Sequence, residues 1–582
     1  MKKIFLLLTL LSTSLTLSAA PIGEARAREI AEEFFAKNSI TRSAATIELE
    51  WAGESISAPV SRANDIDDAL IYIYTRGDND GFVIIAGDDS IAPIIAYSFD
   101  TTIDSENMAE ATKEIIDAWG AQIKAVRKGT LQMNTNTTAT TRYGGELLYD
   151  TALWNQFDPY NREAPMIDGD RAVTGCVATA ISIICYYNKW PEKGVGTTPE
   201  YSYEDAYGHT HTIAANTLGR TYKYSNMLAD YNNGFNNTQA NAVAALMKDV
   251  GTAVQMQYHP DASGAYDLDV PKALINHFGY SKQCHLAYRD GYDSDDWHDI
   301  MRENLNNFGP TYYSGSGDQG GHAFVVDGYA PGNYFHFNFG WGGYGNGHFL
   351  FPEIEYYDNQ VTLLSLKPDK DGTSKYRDNI LLYYYAFGDG TTLRGIASDA
   401  TKYAANSEFS VMLGCIWNCG VRVFNGEFAL VHCNKDGEWK KQLYTATLEG
   451  LDIRYSYYED YPVVVTLDDI EEGDLLRLYF KSSDSDEWIW ARAYNSEADD
   501  EIEICATPER VAENIRFIYN KAENAIYLHS PDAWQVDIDN GAGNGAFSGH
   551  TTACIPSEYL GKGEHIIKVS CSGRPYELKV KL

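Results

Sequence analysis

Four residues in this chain have the types needed for nucleophilic attack on a carbonyl carbon. Cys176 opens "TGCVATAISIICYYNKWP", whose small and apolar residues predict a helix that begins at the cysteine. A thiol at a helix N-terminus feels the positive end of the dipole, which favours the attacking thiolate. His322 opens "HAFVVDGY" and Asn338 lies in "NYFHFNF", two runs that read as an antiparallel hairpin turning at Pro331, Gly332 and Asn333. Folding about residue 330 brings His322 and Asn338 into near opposition, so that the histidine takes the thiol proton and the carboxamide holds the imidazole in one tautomer. Gln156, in "LWNQFDPYN", offers a side-chain amide that with the Cys176 N–H forms an oxyanion hole. Phe339 and Trp341 flank the Asn338 strand end, where an aromatic plate would keep water from the pair.

These positions need a scaffold that gathers them. From Tyr143 to about Pro368, helical segments ("TQANAVAALMKDVGTAV", "SDDWHDIMRENLNNFG") precede β runs ("PTYYSGS", "HAFVVDGY", "NYFHFNF", "GHFLF"), a pattern that predicts a two-lobed α+β domain. Ahead of it, "PIGEARAREIAEEFFAKN" and "MAEATKEIIDAWGAQIKAVRKG" have helical spacing and enclose "ALIYIYTRGDNDGFVIIAGDD", two strands about a turn. They form a smaller α+β unit from about 21 to 129. Between the two units, "TLQMNTNTTATTRYGG" lacks apolar periodicity and reads as an exposed linker, either a site of proteolysis or a plain interdomain tether. Beyond about 372, short strands such as "GEFALVHCN" and "LLRLYFK" recur at β-sandwich spacing, and Pro508 introduces a last small β module.

The chain has 582 residues, 44% of them hydrophobic, which is enough for several folded domains. Its net charge of −35 repels nucleic acid and anionic membrane surfaces, so neither is an expected partner. "MKKIFLLLTLLSTSLTLSAAP" carries Lys2, Lys3, an apolar run and small residues near Ala20, the pattern of a cleaved export signal, which places the protein outside the cell, at its surface or in the periplasm. No later run approaches the roughly 20 apolar residues of a transmembrane helix. The nine cysteines are odd in number, so at least one is unpaired within the chain, and the six at 415, 419, 433, 505, 554 and 571 leave room for a disulfide. His209 and His211 in "YGHTHT" can face one side of a strand, yet the sequence shows no third ligand. No metal or cofactor is expected.

"TGCVATAISIICYYNKWP", "GGHAFVVDGY", "HFNFGWGG", "WNQFDPYN" and "VAALMKDVGTAVQMQYHPDASGAYD" resemble the motifs of the streptopain family of papain-like cysteine peptidases, and "IYIYTRGDNDGFVIIAGDDSIAPIIAYS" is similar to its inhibitory propeptide. His322 follows Cys176 by 146 residues, within the papain-like range of roughly 130–150. The resemblance implies a papain-like two-lobed catalytic domain (143–368) after a signal peptide (1–20) and an α+β propeptide (21–142). Two β-sandwich-like modules (372–506, 507–582) follow. It implies a zymogen cut within residues 128–145, with Cys176 as nucleophile, His322 as base and then acid, Asn338 orienting the histidine and Gln156 at the oxyanion hole. Gly321, Ser263 and Trp341 are the expected substrate-binding residues. Protein or peptide substrates and the chain's own propeptide are the expected partners. The family often has Trp directly after the orienting Asn, where this chain has Phe339. Alternatives on the same scaffold are a cell-wall peptide amidase and a non-catalytic surface adhesin or inhibitor.

Overall fold

The computed structural model describes residues 21–38, 46–57, 66–77, 80–131, 145–317, 320–353, 357–386, 392–398, 402–403, 408–459 and 462–506, and beyond these the strands between 516 and 581. The export signal and most of the expected linker lie outside the described residues. Among those described, no helix is long and apolar enough to cross a membrane. The chain divides into two compact units, residues 1–266 with 298–360 and residues 267–297 with 361–582.

The first unit opens with helix α1 (Glu24–Asn38) and an antiparallel sheet of β1 (Ile47–Gly53), β2 (Ile71–Arg76), β3 (Phe82–Ala86) and β4 (Ile94–Ser98). Side chains alternate across a strand, so Tyr72, Tyr74, Val83 and Ile85 share one face and pack with Ala27, Ala31 and Phe35 of α1. The alternate residues Ile71, Ile73, Phe82 and Ile84 are buried as well. Helix α2 (Glu110–Arg127) lies near that second face, where Gly120 lets it sit against the Glu54 carbonyl and the Ile71 side chain. Truncating Phe35 in such a core costs about 3–5 kcal/mol.

The same unit continues through a short hairpin, β5 (Met166–Ile167) and β6 (Asp170–Arg171), into helix α3 (Cys176–Asn188). A second hairpin, β7 (Tyr201–Glu204) and β8 (Thr210–Ile213), precedes α4 (Asn237–Ala253), which starts with a reciprocal cap between Asn236 and Gln239. The antiparallel strands β9 (Thr311–Gly317), β10 (Gly320–Ala330), β11 (Tyr334–Asn338) and β12 (Gly347–Phe349) follow. β12 pairs with β4, His348 opposite Tyr97 and Phe349 opposite Ala96, so one sheet runs from β9 through to β1.

The β10–β11 hairpin forms where the sequence places it, but its register differs from expectation. The turn is centred on Gly332, with φ of +88°, followed by Asn333 at +66°, and the pairing shifts between Val326 and Gly328. Asn338 therefore lies opposite Val325, while His322 pairs on its other side with Gly315. The expected opposition of His322 and Asn338 does not occur.

In the second unit, Phe424–Cys433 runs antiparallel to both Trp439–Leu451 and Asp474–Ser482. Phe428 and Leu430 of this strand join Leu476, Leu478 and Phe480 in one core, and Ala429, Val431 and Cys433 form a second cluster with Leu475. Cys415, Cys419 and Cys433 are buried thiols rather than disulfide partners. The side chains of Cys505, Cys554 and Cys571 lie outside the described residues. The last strands, from Arg516 to Lys581, form one sheet of three and another of four.

Candidate active site

Helix α3 is buried on every side from Val177 to Cys185, so it serves as core and reaches a surface only at its two ends. Cys176 is its first residue and is partly exposed. Gly175 caps the helix without a side-chain hydrogen bond. No side chain at the cap therefore competes for the first backbone N–H groups beside the thiol. Gly175 has φ of +83°, and a Cβ on it would stand 2.6 Å from the Met256 sulfur and 2.8 Å from the Ser263 carbonyl oxygen. A glycine is required here by both torsion and space.

Three segments close around this helix start. The Gln156 carbonyl accepts from the Thr174 N–H at 3.1 Å, which ties the Gln156 loop two residues ahead of the cysteine. Thr179, whose hydroxyl donates to the Gly175 carbonyl at 2.9 Å, abuts Gly340, two residues past Asn338. Trp341 connects the remaining parts, its ring centroid 6.0 Å from that of Phe157 and 6.3 Å from the His322 imidazole, nearly parallel to the latter at 25°. Of the two aromatics flanking Asn338, Trp341 is thus the one that faces the histidine, whose ring Phe324 also faces at 6.4 Å and 18°. Phe339 turns into the core against Phe324 and Phe349.

His322 is buried, and its Nε2 lies 3.0 Å from the Phe339 carbonyl oxygen. A carbonyl only accepts, so Nε2 carries the proton and a neutral ring keeps its basic lone pair on Nδ1. Burial lowers the imidazole to about 4, against the raising effects of the Phe339 bond and the Glu114 charge. Asn338 does not make the expected contact with the imidazole. Its amide nitrogen donates to Thr151 Oγ1 at 2.9 Å and the Ala152 carbonyl at 3.0 Å, and its oxygen accepts from the Gly340 N–H at 3.2 Å. The shifted hairpin register accounts for this, since it places the next carbonyl, rather than the carboxamide, at the ring.

Ser263 directs its side chain inward, donating to the Val173 carbonyl at 2.9 Å and accepting from the His259 N–H at 2.9 Å. Gly321 is exposed beside Ser316 at the β9–β10 end.

Sequence reasoning missed Glu114, Asp327, Thr151 and His336. Glu114, on α2, contacts Gly317 and interacts electrostatically with His322. Burial raises its carboxyl to about 7, and its Oε2 is buried without a hydrogen-bond partner. Behind Asn338, Asp327 binds Thr151 through one oxygen and His336 Nδ1, at 2.5 Å, through the other. Burial pulls His336 down, but Asp327 outweighs it and leaves the ring above the usual histidine value. An Asp inside the apolar run "HAFVVDGY" was the one sequence signal for this network.

A family model described as the peptidase C10 family matches residues 154–349, and one described as Spi protease inhibitor matches residues 19–123. Streptopain of Streptococcus pyogenes is 31% identical over 352 residues, covering 56% of this chain and 84% of streptopain. The chain belongs to the peptidase C10 family. The resemblance read from the motifs therefore holds, and within this C10 chain α1 to α2 lie in the inhibitor-type region. The thiol protease/hemagglutinin PrtT of Porphyromonas gingivalis is 34% identical over 363 residues, which cover 60% of this chain and 41% of PrtT, less than half of that relative. Among solved structures, a prointerpain A fragment of Prevotella intermedia has 27% identity and a TM-score of 0.46, covering 56% of this chain and 100% of the fragment. Active wild-type interpain A from the same organism has 31% identity and a TM-score of 0.35, over 39% of this chain and 97% of its own.

Proposed function

We propose that this C10 chain is an exported cysteine endopeptidase made as a zymogen. What supports this reading is the seating of α2, from the inhibitor-type region, with Glu114 beside His322, whose ring Trp341 faces. In this arrangement burial lowers the His322 imidazole, which disfavours the imidazolium that pairs with a thiolate. The reading requires that removal of α2 expose the ring to water and return its basicity toward the usual value.

In the released enzyme, Nδ1 of His322 takes the Cys176 proton and the thiolate attacks the scissile carbonyl. The Cys176 N–H and the Gln156 amide hold the developing oxyanion. The imidazolium then protonates the leaving amine, and water attacks the thioester with His322 again as base. Asn338 is a positioning residue, fixing the strand end whose Phe339 carbonyl holds the ring. The buried, unpartnered Trp341 indole N–H supplies a donor for substrate. The Ser263 loop faces peptide through its backbone, and Gly321 lets a chain pass near the histidine.

Purified chain incubated with casein and a reductant tests the reading. Wild type shortens itself and degrades casein with time, while Cys176→Ala does neither. Equal behaviour of the two would overturn the assignment.

A further inference from the structure

The sequence leaves His209 and His211 without a third ligand, but the fold supplies two. Asp205 directly follows β7 and its Oδ1 is committed to the turn, accepting from the Tyr207 N–H at 2.8 Å and the His209 N–H at 2.9 Å. Its Oδ2 faces both imidazoles, 2.9 Å from His211 Nε2 and 3.3 Å from His209 Nδ1. Asp168, at the β5–β6 turn with φ of +51° and followed by Gly169 at +98°, completes the group. One ligand atom from each of Asp168, Asp205, His209 and His211 lies within 4.8 Å of all the others.

We propose that these four residues bind a divalent transition-metal ion of the zinc class. Two imidazoles and two carboxylates without a thiolate suit a borderline cation such as Zn2+ better than Ca2+ or Mg2+, which take oxygen ligands. Zinc sits about 2.0–2.2 Å from such atoms, so a tetrahedron needs neighbouring ligands roughly 3.3–3.6 Å apart, and binding would open the 2.9 Å Asp205–His211 contact and draw in the pairs that now lie up to 4.8 Å apart. His209 and Asp168 are exposed, so the ion exchanges with solvent.

The site joins two hairpins that border the nucleophile. β5–β6 leads within five residues into Cys176, and its outgoing Val173 is held by the His259 carbonyl and Ser263 Oγ. β7 is fastened to the same wall, the Tyr201 and Tyr203 hydroxyls donating to the Met256 and Tyr258 carbonyls at 2.8 and 2.5 Å. An ion across the hairpins stiffens the wall that bears the Ser263 loop.

Because zinc also binds a catalytic thiol and imidazole, the test uses the full chain carrying Cys176→Ala, stripped with a chelator and titrated with Zn2+ by calorimetry. One Zn2+ binds and raises the melting temperature. Adding His209→Asn with His211→Asn weakens that event at least about 100-fold and removes the thermal shift, and Asp168→Asn weakens it about 10-fold. Asp205 is left intact because its backbone caps hold the turn. Co2+ gives visible d–d bands without a thiolate charge-transfer band. Identical isotherms in the parent and double-histidine variants, no binding below millimolar Zn2+, or a thiolate band would each overturn the proposal.

Discussion

At the scale of single residues, the candidate site holds a carboxyl and an imidazole whose proton affinities move in opposite directions. Seated, Glu114 is raised from 4.5 to about 7 and His322 lowered from 6.5 to about 4. The raised carboxyl favours seating of α2 most below pH 4.5, and that contribution is lost as pH rises through 7. The lowered imidazole favours seating most above pH 6.5 and loses it as pH falls through 4. Between 4.5 and 6.5 the seated and released pairs each hold about one proton, so the two slopes cancel. Hydrogen exchange of α2 amides in a Cys176→Ala background, corrected for intrinsic rates, is expected to be flat over that window. Adding Glu114→Gln leaves the histidine slope alone, and protection then falls as pH drops from 6.5 to 4. The same flat profile in both chains would refute the coupling. Cys176, His322 and Gln156 could be proposed from the sequence because their types announce chemistry. Glu114 could not, because its role exists only once α2 lies against a strand end far along the chain.

Among elements, helix α3 carries the proposed nucleophile at its start, and Gly175 sets where it begins. Replacing Gly175 with alanine forces a Cβ into Met256 and the Ser263 carbonyl at a torsion that L residues rarely adopt. Gly175→Ala is expected to cost about 1–3 kcal/mol in denaturant unfolding and to lower turnover by displacing the helix start. An unchanged midpoint and rate would contradict this account. Helices α1 to α4 could be read from apolar period and terminal residues, since those signals are local. The β10–β11 register could not, because it depends on the turn centring at Gly332 and on the shift near Asp327, both fixed by backbone torsion and by burial of the Asp327 network. That error turned an expected carboxamide contact into a main-chain one. The strands β1 and β4 also escaped notice, being short runs beside segments without clear periodicity.

For the whole molecule, the N-terminal region is more than a plug over a cleft. Trp119 donates to the Leu350 carbonyl at 3.3 Å, Tyr334 to the Ile94 carbonyl at 2.7 Å, and β4 is hydrogen-bonded along β12. Inhibitor-type and peptidase regions thus share a continuous ladder, and under the proposed zymogen reading a cut that releases one would strip backbone partners from the other. What is left at Gly347–Phe349 is a raw rim of amide and carbonyl groups over aromatic side chains, a template on which any extended stranger can zip. Trimmed enzyme, blocked at its thiol, should therefore self-associate in sedimentation as concentration rises and return to monomer when the severed piece is added back. A trimmed form that stays monomeric throughout would show that the rim heals itself.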